Sequence, residues 1–460
     1  MTQAMEPMSS VDTAWLHMDQ DENHMMITGV LVLDRPLDPG MFKKLLVERL
    51  LHFDRFRQKV VEHNGKAYWQ NDPHFHLDNH VHRIGLPEPA GQAELEELVA
   101  DLASESLDFH HPLWQFHLVD RYEDGAALIS RIHHCIADGL ALVQVLMSLA
   151  DAAGDPPAPE LDPLRETSLL ERLSRPLRQV AQAGAHLGHN LISEGMDLAR
   201  HPAKVRQWAE QAEHIARELV GLGLLPRDPQ TRLHAPLGGR KRIAWAQPLE
   251  LAAVKETAHQ LGGTVNDVLM SCAAGALRNY LTEADTIPGS EIHVAVPFNL
   301  RSRDQTVSTL GNQFGLVIVA LPVNEADVLK RYQQVRAAMT DLKNSVQPQV
   351  TFGLLDLLGK GPVSLEKSAL DMLSDKASLV MTNVPGPASV LSIAGARILQ
   401  PLVWVPQSGH LGVGFSILSY AGSVQFGVIA DSQMVADPGK VTRYFEESFC
   451  ELRDHAFRRQ

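Results

Sequence analysis

Cysteine is scarce in this chain: only Cys135, Cys272 and Cys450 occur in 460 residues. Three such widely spaced thiols can form neither a disulfide framework nor a clustered zinc site. That scarcity suits a reducing compartment, and a cytoplasmic protein is expected. Long apolar runs are missing too. Phe314–Val323 (FGLVIVALPV) is among the longest, well short of the roughly 18–20 residues that a spanning helix needs. The opening MTQAMEPMSSVDTAW has an acid but neither the basic nor the apolar region of a signal peptide. Peripheral attachment to a membrane or lipid inclusion stays open. Positive charge is in deficit, with 41 Lys+Arg against 55 Asp+Glu and a formal charge of -14, which argues against an electrostatic nucleic-acid binder. The chain also lacks G-x-S-x-G, the P-loop pattern, H-E-x-x-H and G-x-G-x-x-G, so the handles of an elbow hydrolase, a P-loop enzyme, a zincin and a dinucleotide binder are absent.

What remains has the make-up of a globular protein, 45% hydrophobic and 21% charged. Its length exceeds one ordinary core and predicts two or three domains. Residues 1–153 read as a mixed α/β unit. Met25–Leu33 and Trp114–Asp120 are expected strands, Met41–His52 and Ala93–Leu107 expected helices. Ala126–Ile132 is a short apolar strand, and Gly139 to Ala153 reads as a buried helix. Proline-rich Gly154–Pro163 marks a linker. Residues 154–235 combine this linker with helical sequence in which arginines alternate with leucine and alanine. That stretch admits two readings, a membrane-surface element or a crossover helix pair with a solvated arginine face. Residues 236–460 read as a second α/β unit. It has helices over Leu249–Leu261 and Val268–Leu281, and strands over Ile292–Pro297, Gly315–Leu321, Ala377–Asn383, Gly412–Tyr420 and Ser423–Ile429.

The chemistry concentrates in Arg131–Leu140, RIHHCIADGL. Histidine is the natural general base near neutral pH, because its ordinary pKa of about 6.5 is easily tuned. Asp138, four residues after His134, is placed to fix the loop, and Gly139 lets the chain turn into the following helix. The competing reading is a buried histidine pair satisfied by backbone, with Asp138 as a helix cap. Asn266 and Asp267, between GGTV and an apolar helix, either point an amide at a substrate carbonyl or cap that helix. His74, His76, His80 and His82 (HFHLDNHVH) invite a metal reading, but no carboxylate or thiolate ligands accompany them. Solvated surface imidazoles are expected there, and no metal.

SSVDTAW, HPLWQFHLVD, HHCIADG, TVNDVLM, VPFNLRS, LGNQFG and TNVPGP follow one another along nearly the whole chain. In that order they resemble the bacterial wax ester synthase/acyl-CoA:diacylglycerol acyltransferase family. This family lies within the HHxxxDG superfamily of chloramphenicol acetyltransferase and peptide-synthetase condensation domains. The resemblance implies two chloramphenicol-acetyltransferase-like α/β sandwich domains, joined by a helical crossover, with the active-site tunnel at their interface. It implies an acyl-CoA-dependent O-acyltransferase that makes triacylglycerol, wax ester or both, with acyl-CoA as co-substrate and no cofactor. Two alternatives stand beside it: the same fold with another acceptor, and a non-catalytic lipid-binding or droplet-associated protein.

Residue by residue, the resemblance makes His134 the base that deprotonates a lipid hydroxyl, with no acyl-enzyme. His133 would orient the loop or line the channel, and Asp138 would pair with Arg301 or Arg303. Trp114 of the PLW block, Asn312 and Asn383 would be channel-wall or loop elements near the substrate. Cationic surface for the CoA phosphates is expected at Arg240-Lys241-Arg242 or on the middle helices.

Overall fold

The structure is a computed structural model and describes residues 5–137, 142, 145, 146, 148–152, 227–299, 314–342, 351, 371 and 374–458. Two seven-stranded mixed sheets dominate it. The first has the order β5 (Val81–Ile84), β6 (Trp114–Tyr122), β7 (Gly125–His133), β2 (Met26–Leu33), β15 (Ala396–Trp404), β14 (Leu391–Ile393), β8 (Ala150–Ala152). The second runs β10 (Leu249–Glu250), β17 (Ser423–Asp431), β16 (Val413–Tyr420), β13 (Leu379–Pro385), β11 (Ile292–Asn299), β12 (Phe314–Leu321), with β9 (Lys241–Trp245) also pairing β17. A small sheet joins β1 (Met5–Pro7), β4 (Lys66–Asn71) and β3 (Gln58–His63).

The first sheet is built from both ends of the chain. β15 pairs antiparallel with β2, Leu402 opposite Val30 and Trp404 opposite Thr28. Ala150–Ala152 pairs with β14. The helix expected to reach Ala153 therefore stops short of Ala150, because a sheet edge claims these residues and outweighs the helix preference of alanine.

Side chains on the two faces of the first sheet enter two cores, as strand alternation requires. The first core takes Leu128 and Ile132 of β7, together with Trp15 of α1 (Ser10–His17) and Phe42 of α2 (Pro39–Leu45). The second core takes Ala127 and Ile129, with Leu95 and Val99 of α3 (Gln92–Ser104) and Trp245 of β9. The second sheet buries one face under α4 (Leu251–Gln260), α5 (Val265–Glu283), α6 (Val328–Leu342) and α7 (Pro438–Phe457). Phe426 and Phe445 stack there at 3.8 Å. Truncating such a fully buried ring costs about 3–5 kcal/mol.

β9 ties the halves together. It pairs with β17 in the second sheet, while the amide of Trp245 donates to Glu96 Oε1 and Gln92 Nε2 donates to the Trp245 carbonyl, both partners lying on α3. Among the described residues no helix is long and apolar enough to cross a membrane.

Candidate active site

β7 carries the histidine pair out of the sheet. His133 is its last residue and lies opposite Met26 of β2. The chain then turns, with the Ile136 amide donating to the His133 carbonyl. Leu128 and Ile132 of β7 face the first core, and His134 follows the last residue of the strand. His133 shares the opposite parity with Ile129 and Arg131.

Each ring is held by groups far away in sequence. His133 is 2% exposed. Its Nδ1 accepts from the Cys135 amide at 3.2 Å, which assigns the ring proton to Nε2. Nε2 stands 3.2 Å from Asp19 Oδ2. Asp19 also accepts from the Met25 amide at 2.7 Å and meets His24 Nδ1 at 3.3 Å. Burial alone would raise the Asp19 carboxyl, but the bonds from His133, His24 and Met25 outweigh it and hold it well below the usual carboxylate range. His134 is 3% exposed. Its amide donates to the Met25 carbonyl at 2.7 Å, and its ring stacks on Trp15 at 4.1 Å. Segment 19–25 therefore supports both histidines at once.

A second cluster lies at the start of α5. Gly262 has φ +66°, a conformation open to glycine. A Cβ on Gly263 would fall 1.9 Å from the Tyr332 hydroxyl. The helix thus begins after a turn that only glycines make comfortably. It starts at Val265, one turn earlier than the sequence predicts, with Thr264 as cap. The Asp267 amide donates to Thr264 Oγ1 and the Thr264 amide to Asp267 Oδ2, closing a capping box. Asp267 is thereby committed to the helix end. Asn266 is not part of the cap: Asn383 Nδ2 donates to its Oδ1 at 2.7 Å, and its own buried Nδ2 has no hydrogen-bond partner among the described residues. A buried amide donor with nothing to bond is costly unless a ligand carbonyl meets it.

An apolar pocket lies between the two sheets. Gly29, Leu128, Ser130 and Pro401 line it from the first sheet, and Leu418 and Tyr420 from the second. Leu128 and Ser130 form its wall on β7, and His134 follows that strand in the chain.

The model of the wax ester synthase/diacylglycerol acyltransferase catalytic domain matches residues 8–269, and that of the family's C-terminal domain matches residues 310–453. The chain belongs to the wax ester synthase/diacylglycerol acyltransferase family. Its members are acyltransferase enzymes. A protein of Mycobacterium tuberculosis named as a probable diacylglycerol O-acyltransferase is 28% identical over 460 residues, covering 97% of this chain and 96% of that protein. The solved wax ester synthase/diacylglycerol acyltransferase of Marinobacter aquaeolei superposes with a TM-score of 0.69 at 21% identity, over 98% of this chain and 100% of that one. The starter condensation domain of a rhizomide synthetase, in complex with C8-CoA, superposes with a TM-score of 0.57 at 13% identity, over 98% and 95% of the two chains. The two-domain chloramphenicol-acetyltransferase/condensation-domain fold is shared.

Within this acyltransferase frame the expected residues fall into three groups. His133 and His134 stand together on the first half, and Asn266 pairs with Asn383 on the second. Asp138, Gly139, Arg301, Arg303 and Asn312 lie outside the described residues. Trp114 is fully buried, donates from Nε1 to the Phe56 carbonyl and stacks on His80 at 4.4 Å. It packs the first core instead of lining the cavity.

Two expectations are corrected. His80 is no solvated imidazole: it is 2% exposed, with Nδ1 bonded to the Trp114 carbonyl. No group of three or more metal-ligating residues occurs among the described residues. Lys241 is 3% exposed and bonded inside the protein, so its ammonium is not available to a CoA phosphate at the surface. Residues that motif reading passes over are Asp19, Trp15 as a stacking partner, and Asn23. Asp19 lies 114 positions from its histidine, and no local pattern announces such a pairing.

Proposed function

We propose that this acyltransferase moves a long acyl group from acyl-CoA to the hydroxyl of a lipid alcohol, diacylglycerol or a long-chain fatty alcohol, yielding triacylglycerol or wax ester. His134 is the general base. It takes the hydroxyl proton as the oxygen attacks the thioester carbonyl, and the tetrahedral oxyanion collapses by breaking the C–S bond. The proton passes from the imidazolium to the departing CoA thiolate. Positioned base catalysis of this kind contributes roughly 10²–10⁴. The Asn266 amide supplies a hydrogen bond to the carbonyl oxygen as charge builds there.

The observation that supports this reading is the buried histidine pair at the end of β7, His134 stacked on Trp15 and His133 held by Asp19, on the same strand whose Leu128 and Ser130 line an apolar pocket. Transfer without an acyl-enzyme is favoured by the neighbouring thiol: Cys135 is wholly buried, and burial raises it far above the range in which a thiolate forms. The C8-CoA complex of the condensation domain supports acyl-CoA as donor. A lipid acceptor places the enzyme at a membrane or lipid-inclusion surface while it works.

The test is CoA release from palmitoyl-CoA with hexadecanol or dioleoylglycerol as acceptor, products identified by mass spectrometry, with His134→Ala alongside. Ester from the wild type and none from the variant is expected. Full activity in a folded His134→Ala protein overturns the base assignment.

A further inference from the structure

Lys241 is the first residue of β9 and is 3% exposed. Its Nζ donates to Asn23 Oδ1 at 2.8 Å and stands 3.4 Å from Gln407 Oε1. Both acceptors are neutral amides. Asp431, opposite it across β9 and β17, spends its oxygens on the amides of Gly238, Gly239 and Gln433. Burying an ammonium against neutral partners is unfavourable for folding. Burial lowers its pKa to about 8, with the Asp431 charge opposing.

The contacts beyond Asn23 suggest what this arrangement does. Asn23 Nδ2 donates to the Leu411 carbonyl at 3.0 Å, so the side chain is gripped from the second half at both ends. Asn23 and Gln20 exchange backbone hydrogen bonds and close a small loop. Asp19 lies directly before that loop, and Met25 directly after His24. These two residues hold the Nε2 of His133 and the amide of His134.

We propose that Lys241 is a positioning residue for the histidine pair: its ammonium, through Asn23, fixes segment 19–25 in the place from which Asp19 orients His133 and Met25 anchors His134. The second half of the chain thereby sets the geometry of a base carried by the first. The consequence for turnover rests on the reading of His134 as the base, whereas the consequence for the loop does not.

Two readouts separate these parts. Lys241→Met and the milder Lys241→Gln are compared with Arg331→Met, which removes another buried cation. Arg331 lies on α6 and donates to the Glu325 and Ala326 carbonyls, away from segment 19–25. Hydrogen exchange followed by mass spectrometry reads residues 19–26 and 131–137 in the full chain. Faster exchange in both segments is expected for the Lys241 variants alone, because local opening reports the local contacts. Turnover is expected to fall between about tenfold and 10²-fold, the effect of an ångström of misplacement, with KM for palmitoyl-CoA unchanged. Unchanged exchange in 131–137 for a folded Lys241 variant overturns the proposal, whatever the activity. Equal loss of kcat in Arg331→Met overturns it too, since the effect would then be general destabilisation. If the wild type makes no ester, the proposed function fails and the exchange comparison still decides the role of Lys241.

Discussion

His133 and Asp19 meet at 3.2 Å across 114 positions of sequence, and the contact helps to hold the carboxyl well below the usual carboxylate range. The pair fixes which nitrogen of His133 carries the proton and keeps the end of β7 in register with segment 19–25. Asp19→Asn preserves shape and removes charge. Its kcat is expected to drop between about 10-fold and 10²-fold, within the roughly 10²–10⁴ that a positioned base contributes. The same variant has a pH signature. Because the folded carboxyl sits below its unfolded value of about 3.9, its stabilisation is complete above about pH 4 and is lost as pH falls through the folded value. Urea unfolding should show a constant gap between wild type and variant at about pH 5–6 that narrows progressively as the pH falls below about 4. A gap that does not change with pH would refute this account of Asp19.

Much of this architecture is visible in the chain itself. Strands such as Ile292–Asn299 and Val413–Tyr420 are rich in apolar and β-branched residues, and the histidine block lies just past a strand as its residues imply. Other features depend on partners far away. Ala396–Trp404 goes unread because Gln400-Pro401 breaks its apolar run and its register shifts between Ile398 and Gln400, and its pairing with β2 spans most of the chain. His80 looks exposed in HFHLDNHVH, but Trp114 and Phe75 stack on either side of it. The support beneath the histidines escapes for the same reason. Asp19, Trp15 and Asn23 are ordinary residues until the fold brings them to His133, His134 and Lys241.

Asn266 and Asp267 adjoin in sequence yet differ in role, and substitution should separate them. Asn266→Ala removes the amide donor that has no partner among the described residues. By analogy with the loss of one oxyanion donor, kcat should fall about 10²–10³-fold with KM little changed. Asp267→Ala instead opens the capping box and should cost about 0.5–2 kcal/mol of stability, measured by urea unfolding, with a smaller effect on kcat. Asn383→Ala leaves the Asn266 donor in place without its brace, so its kcat should fall less than that of Asn266→Ala. If Asp267→Ala proved the more damaging to turnover and Asn266→Ala the more damaging to stability, the two assignments would have to be exchanged.

The cavity makes a quantitative claim about the acyl chain. Leu418 is 5% exposed and projects from β16 into a space lined almost wholly by carbon. Leu418→Trp fills part of that space without touching the histidine pair or Asn266. Because the new ring enters a void, overpacking should cost no more than about 1–3 kcal/mol. A long chain then loses room that a short chain never uses, and methylenes in an apolar pocket carry much of the discrimination between substrates. The ratio of kcat/KM for palmitoyl-CoA to that for octanoyl-CoA should fall at least about tenfold. The loss should appear mainly for the long donor, since the base and the amide donor stay in place. An unchanged ratio in a folded Leu418→Trp protein would place the acyl chain elsewhere and leave this cavity as packing space between the two sheets.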